Sequence, residues 1–326
     1  MKATTIKDVA KYCNVSTYTV SSVLKNKGDI SEETSFKVQL AVKELNYNPL
    51  RNIPSVETFM TKSIALVLPD QYSNSDEFFF RAIKTTLNSA QYYKYDFKIF
   101  SETNFIEHLA IDKGCNPHVS FNVAIFFCTN KHNSKIFKNL KIRGIKTALI
   151  RRSTKDKSVL CLNDNDEKGV LKALNYFYNN GHKKIAFVYT NNQYFESRMN
   201  AYKKFIYEKG LDPFVLNTLS IKENIQKNKV SALLCNEDTC AKDVMKQLLK
   251  EGIKIPEEVS VIGYNNNPLC ENFYPEISSV NIPVENMLEK VCKLLIESNN
   301  VSINNTIVDL EFENELILRA SVKGLK

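Results

Sequence analysis

The chain is poor in glycine, with nine in 326 residues, and it has no G-x-G-x-x-G, no GxxxxGK[ST], no H-E-x-x-H and no G-x-S-x-G. Those patterns supply the phosphate cradles, the zinc-hydrolase helix and the nucleophile elbow of common enzymes, so their absence argues against kinase, dehydrogenase and hydrolase readings. Paired cysteines are missing too. Eight cysteines, at 13, 115, 128, 161, 235, 240, 270 and 292, include no CxxC and sit mostly in apolar runs such as AIFFCTN and ALLCNED. That is the setting of buried free thiols. Cys115 and His118 have the spacing of half a zinc site, but no second pair follows, so neither a metal nor another cofactor is expected. No run approaches the roughly eighteen apolar residues of a spanning helix, and MKATTIKDVA has no secretory character. A cytoplasmic protein without membrane contact is expected.

With 43% hydrophobic and 25% charged residues, the chain is globular material for two or three compact units. The formal net charge of +8, from 44 Lys and Arg against 36 Asp and Glu, makes contact with a polyanion plausible. Its distribution is more informative. Lysines 2, 7, 11, 25 and 27 face the single acid Asp8 in the first 27 residues, whereas 28 to 60 hold three basic residues and five acids.

Thr5-Ile6-Lys7-Asp8 fits a capping box that opens a helix. Ile6, Val9, Ala10 and Cys13 form one apolar stripe, which ends at Asn14, a residue that accepts a left-handed turn. Ser16 caps a second helix that buries Val20, Val23 and Leu24. It exposes Thr17, Tyr18, Ser21 and Ser22, hydrogen-bonding groups near a helix N-terminus, as a recognition helix does. A third helix starts at Ser31, has Glu32 and Glu33 in its positive first turn, and buries Val38, Ala41, Val42 and Leu45.

The stretch TIKDVAKYCNVSTYTVSSVLKNKGDISEETSFKVQLAVKELNYNP resembles, nearly position for position, the headpiece of LacI/GalR regulators, through TIKDVA, VSxxTVSxVL, SxET and Tyr47-x-Pro49. The resemblance implies a sequence-specific transcriptional regulator, a repressor, that binds a double-stranded operator through Thr5, Ser16, Thr17, Tyr18, Thr19, Ser21, Ser22, Asn26, Ser31 and Val56. Ser22 stands where the family usually has a base-contacting arginine, so the operator should differ. In the family a hinge then folds on DNA and wedges a leucine into the minor groove. Here it reads LRNIPSV, with Val56 as a shorter wedge and Pro54 tolerable only in a first helical turn.

From Lys62 onward, strands at Ile64 to Leu68, Asp96 to Phe100, Val123 to Phe127, Thr147 to Ile150, Ile185 to Tyr189, Ala232 to Cys235 and Val259 to Gly263 alternate with helical stretches. One helix is read over Asp166 to Asn180, with Val170, Leu174 and Phe177 inside and Gly181 beyond its end. Such alternation implies parallel sheets covered by helices. GHKKIAFVYT, ESRMNAYKKFIYEKGL and EGIKIPEEVSVIGYNNNPLCENFYPEISSVNIP resemble the family's signature stretches, which imply a periplasmic-binding-protein-like fold clasping a small effector between two lobes. The expected architecture is an all-α helix-turn-helix headpiece (1–48), a hinge segment (49–61) and an α/β two-lobed effector-binding and dimerisation domain (62–326). Its N-lobe is expected over about 62–160 plus about 291–320, and its C-lobe over about 161–290.

Ligands of open α/β sheets sit beyond the carboxyl ends of the strands. The family's ligand-contacting arginine corresponds to Arg198, and its Asn-Asp-x-x-Ala to Glu237-Asp238-Thr239-Cys240-Ala241, with Glu237 in place of asparagine. Arg151 and Asn265 take the places of sugar-gripping acids. Arg151, Arg198, Glu237, Asp238 and Asn265 are therefore the expected effector residues. The lost acids favour an anionic effector, such as a sugar phosphate or small organic acid, unless an internal acid such as Glu237 pairs with the arginines. His182, in GHKKI, matches a helix-end residue of the family rather than a catalytic base.

One headpiece offers few base contacts, so a homodimer on a pseudo-palindromic site is expected. Tyr18→Ala should relax discrimination among operator variants, whereas Lys11→Ala should weaken binding to all sequences similarly and flatten its salt dependence. Equal losses on operator and random DNA in a salt titration of both variants would show that the recognition helix is wrongly placed.

Overall fold

Three short helices open the chain in a computed structural model that describes residues 4–25, 30–45, 47, 62–71, 77–111, 121–130, 134–156, 158–190, 195–218, 221–297 and 309–325. Asn26, Pro49, the hinge with Pro54 and Val56, Cys115 and His118 lie outside the described residues. The helices are α1 (Ile6–Cys13), α2 (Thr17–Lys25) and α3 (Glu32–Glu44). The Asp8 carboxylate accepts from the Thr5 N–H and the Thr5 hydroxyl, each at 2.7 Å. Asn14 leaves α1 at φ 55°. Ser16 accepts the Thr19 N–H at 2.9 Å, and Ser31 accepts the Thr34 N–H at 3.3 Å, so both cap the free donors of the next helix. Val9, Ala10, Cys13, Val20, Val23, Val38 and Ala41 make the core, and Leu24, Val42 and Leu45, expected inside it, lie half-buried on its margin.

The rest alternates strand and helix: β1 (Ser63–Leu68), α4 (Glu77–Tyr92), β2 (Asp96–Ser101), α5 (Glu102–Ile111), β3 (Val123–Phe127), α6 (Ser134–Ile142), β4 (Lys146–Ile150) and β5 (Val159–Asp164). Then follow α7 (Asp166–Asn179), β6 (Ile185–Tyr189), α8 (Phe195–Glu208), β7 (Phe214–Asn217), α9 (Ile221–Asn228), β8 (Ala232–Cys235), α10 (Asp238–Lys250) and β9 (Ser260–Asn265). A 3-10 turn (Pro268–Cys270), β10 (Ser278–Asn281), α11 (Val284–Glu297), β11 (Asp309–Phe312) and β12 (Glu315–Ile317) complete it.

The strands build two six-stranded sheets, ordered β11-β5-β4-β3-β1-β2 and β12-β10-β9-β8-β6-β7. Pairs β1 with β2, β1 with β3, β3 with β4, β6 with β7, β6 with β8, β8 with β9 and β9 with β10 are parallel, and β12 is antiparallel to β10. Every residue of β1 and β3 is buried, because the crossover helices cover both faces of a parallel sheet. Two compact units result, one of residues 1–72, 83–161 and 291–308 and the other of 73–82, 162–290 and 309–326. The seven cysteines among the described residues are buried free thiols, and no described helix is long and apolar enough to cross a membrane.

Five strands go beyond the sequence expectation. β10 reads Ser-Ser-Val-Asn, yet Ser278 and Ser279 are fully buried, because their hydroxyls donate to the Arg319 carbonyl at 3.3 Å and to Asp238 at 2.6 Å. β7 is short and ends on a polar residue, and β11 and β12 carry acids, so these three lack the apolar run that marks a buried strand, whereas β5 has one in its buried Val159-Leu160-Cys161-Leu162. Of the last two strands, β11 lies beside β5 in the first sheet and β12 beside β10 in the second.

His182 closes α7 as a helix-end residue and is 1% exposed. Its Nδ1 meets the Ser231 hydroxyl at 2.9 Å and its Nε2 the Lys323 carbonyl at 2.9 Å. Burial holds its pKa below the usual 6.5. A group with a depressed folded pKa and a cationic acid form binds its proton more readily unfolded, so it stabilises the fold above about pH 6.5 and loses that contribution as pH falls. Melting temperature should therefore drop as pH falls below about 6.5, and His182→Gln should lack that component of the drop. A variant whose melting curve follows the same pH profile as the parent would refute this role.

Candidate functional site

In the headpiece the capping serines set α2 with its N-terminal turn outward. Thr17 and Tyr18 are exposed, Tyr18 by 80%, and Thr19 and Ser21 are half-buried. Thr5, Ser16 and Ser31 are exposed with their hydroxyls already engaged in caps. Ser22 departs from expectation. It is only 7% exposed, because it lies one residue from Val23, at the edge of the buried stripe, and its short side chain is covered there. Lys7 and Lys11 are exposed on α1.

At the carboxyl ends of the first sheet, Asp70 follows β1 and accepts the Thr103 N–H at 2.8 Å and the Thr103 hydroxyl at 2.7 Å. Glu102, 5% exposed, accepts the Asn130 N–H at 2.7 Å. The Asn130 side-chain oxygen accepts from Arg152 Nε at 3.1 Å and Nη2 at 2.7 Å. Arg151, at the end of β4, is half-buried with φ 60°. Of this group only Arg151 was legible in the sequence. The others sit on different strands and come together only through the parallel register.

The second sheet presents a denser arrangement. Arg198, on α8, is 3% exposed and lies flat over the Tyr264 ring, 3.6 Å from its centroid. Its Nε pairs with Asp166 at 3.2 Å, Nη1 donates to the Asn236 carbonyl, and Nη2 donates to Asn265 Oδ1 at 3.3 Å. The internal acid is Asp166, not Glu237. Glu237, half-buried after β8, instead accepts the Thr190 hydroxyl at 2.7 Å.

Asp238, expected to face the effector, is fully buried and committed inward. Its two oxygens accept the Ser279 hydroxyl at 2.6 Å and the Asn267 N–H at 2.7 Å. Burial lifts its pKa to about 7 against the lowering effect of those bonds. Gly263 permits the approach, since a Cβ there would lie 2.2 Å from the Asp238 oxygen. Asp238 is thus a positioning residue for the loop after β9.

That loop carries two consecutive left-handed residues, Asn265 at φ 101° and Asn266 at φ 52°, each costing on the order of 1 kcal/mol. Three arginines hold it. Arg81 donates to the Asn265 carbonyl while pairing with Glu285 at 2.7 Å, and Arg319 donates to Asn266 Oδ1 at 2.9 Å. Arg198 takes Asn265. Neither Arg81 nor Arg319 stood out in the sequence, because each meets this loop from a distant segment. The shell contains guanidinium, amide, hydroxyl and carboxylate groups, and among the described residues its hydroxyls face carboxylates as loop-holding donors, Thr190 on Glu237 and Ser279 on Asp238, a set of polar groups able to orient a ligand.

Comparison with known proteins places these features. Residues 5–50 match the family model "Bacterial regulatory proteins, lacI family", and residues 174–322 match "Periplasmic binding protein-like domain". The chain is 29% identical over 320 residues to the HTH-type transcriptional regulator RegA of Clostridium saccharobutylicum, covering 91% of this chain and 93% of that protein. Its fold is similar to a complex of the transcriptional regulator CelR with cellobiose, at TM-score 0.63 and 19% identity, covering 98% of this chain and 99% of the other. It is similar also to a lac repressor dimer bound to operator and the anti-inducer ONPF, at TM-score 0.63 and 16% identity with the same coverages.

Tyr264 supports the Arg198 guanidinium from below and is itself held through its hydroxyl by Asn314 at 3.1 Å. A Cβ on Gly169 would come within 2.3 Å of that hydroxyl. Gly169→Ala should therefore cost about 1–3 kcal/mol of unfolding free energy by overpacking, whereas Lys168→Ala, which breaks only the exposed pair with Glu311, should cost less than about 1 kcal/mol. Equal denaturation midpoints for the two variants would contradict this support.

Proposed function

The chain belongs to the LacI family of bacterial transcriptional regulators, and from that premise we propose that it is a repressor whose hold on a DNA operator is governed by a small hydroxyl-rich effector. The carrying observation is the coexistence of an outward, polar first turn on α2, flanked by exposed Lys7 and Lys11, with a shell of ligand-competent side chains at strand carboxyl ends. Thr17 and Tyr18 read base edges, with Thr19 and Ser21 beside them, while the lysines meet phosphate. Thr5, Ser16 and Ser31 contribute through the helix ends they cap, where N–H groups and hydroxyls face the backbone. Ser22, being buried, is left out of the direct contacts.

The protein acts by binding and not by turnover, and it works as a homodimer. Exposed Leu87 and Tyr92 on α4 and Ile99 on β2, an edge strand of the first sheet, are apolar groups that a second copy would cover. The lac repressor of similar fold is a dimer on its operator, and the CelR regulator holds cellobiose. The effector contacts proposed here are Arg151 in the first unit and Arg198, Glu237 and Asn265 in the second, with Asp238 acting through the Asn267 loop. An anionic effector loses its motive in the second unit, where Arg198 carries its own counter-ion in Asp166.

Footprinting of the full chain on genomic DNA fragments should reveal two protected half-sites related by a dyad, with light scattering giving a dimer. Protection of one isolated half-site by a monomer at physiological salt would overturn the reading.

A further inference from the structure

We infer that the effector bears an amino group seated on the Glu237 carboxylate, beside a hydroxyl or ring oxygen that accepts from the Asn236 side-chain amide, which makes it an amino sugar or a similar amino alcohol. The inference rests on the effector reading above and deepens it. It comes from pairing the charges of the second unit's loops. Arg198 has Asp166 at 3.2 Å, Arg81 has Glu285 at 2.7 Å, Arg319 has Glu271 at 3.0 Å and Lys222 has Glu251 at 3.8 Å. Each of these cations already has its anion.

Glu237 has none: among the described residues it makes no ion pair, and its recorded bond is the one from the neutral Thr190 hydroxyl. A half-buried carboxylate that meets only a neutral hydroxyl among the described residues has acceptor capacity left for a stronger, charged donor. An ammonium supplies both the proton and the opposite charge.

Asn236 gives an independent second point. It is 1% exposed, and its side-chain oxygen accepts the Thr190 N–H at 3.2 Å, which identifies the other end of the amide as the nitrogen. That Nδ2 has no hydrogen-bond partner. Asn236 and Glu237 thus both engage Thr190 just after β6, one leaving a donor unused and the other a carboxylate without an ion-pair partner among the described residues. A ligand complementary to both carries an acceptor oxygen next to a cationic donor, as a vicinal amino alcohol does.

The test uses the full-length protein, its Glu237→Gln variant and Glu237→Ala as a second variant, with D-glucosamine and D-galactosamine as probes against D-glucose, D-galactose and D-glucose 6-phosphate. Calorimetric titration should place an amino sugar at least tenfold tighter than its neutral counterpart, and both substitutions should abolish that preference while leaving the unliganded melting temperature within a few degrees. If the variants fail to fold, the ranking on the unaltered protein decides. Neutral sugars or the sugar phosphate binding as tightly as the amino sugars, or a preference that survives Glu237→Gln, overturns this inference and leaves the effector reading standing. No binding by any of the three classes overturns both.

Discussion

The second unit depends on one buried cation. Arg198 links α7 through Asp166, β8 through the Asn236 carbonyl and β9 through Asn265 and the Tyr264 face. A guanidinium at 3% exposure is tolerable only because a carboxylate, two oxygen acceptors and an aromatic face replace its water. Those replacements in turn fix where the loop after β9 stands. Its two left-handed asparagines are held on one side by Arg198, on another by Arg81 and Arg319, and from beneath by Asp238. The groups around the loop are thus already oriented by one another, which would lower the ordering cost of any recognition there.

The headpiece solves a different problem with less material. Its core of Val9, Ala10, Cys13, Val20, Val23, Val38 and Ala41 is small, so each capping bond is a large fraction of what holds the helices. The same serines and threonines that cap α2 and α3 are the polar groups nearest the helix N-termini. Stability and presentation therefore fall to the same residues, and the freedom to change one without the other is narrow.

Local signals were legible and distant partnerships were not. Thr5 with Asp8, Asn14, Ser16 and Gly181 carry their structural meaning within three or four residues, and the structure uses each as the chemistry of caps and turns dictates. The apolar strands β1, β3, β6 and β8 were likewise evident. β10 was not, since Ser278 and Ser279 become suited to burial only when Arg319 and Asp238 arrive from elsewhere in the chain. Arg198 stood out, but its counter-ion Asp166 lies 32 positions away, and nothing local favoured it over Glu237. Ser22 illustrates the converse: helical periodicity put it outside, and the packed stripe beside it took it in.

The final segment of the second unit is laced rather than appended. Ser321 exchanges backbone bonds with Val261 and Glu276, Lys323 meets Ser260 and His182, and the Leu325 N–H reaches the Asn180 carbonyl at 2.9 Å. The ribosome delivers the chain in order, so Asn180, His182 and Ser260 emerge long before the residues that satisfy them. The first sheet waits for β11 at its β5 edge, and the second likewise keeps its β10 edge open until β12 is free. During synthesis such an unfinished edge is where a chaperone would find backbone groups and apolar surface still unclaimed.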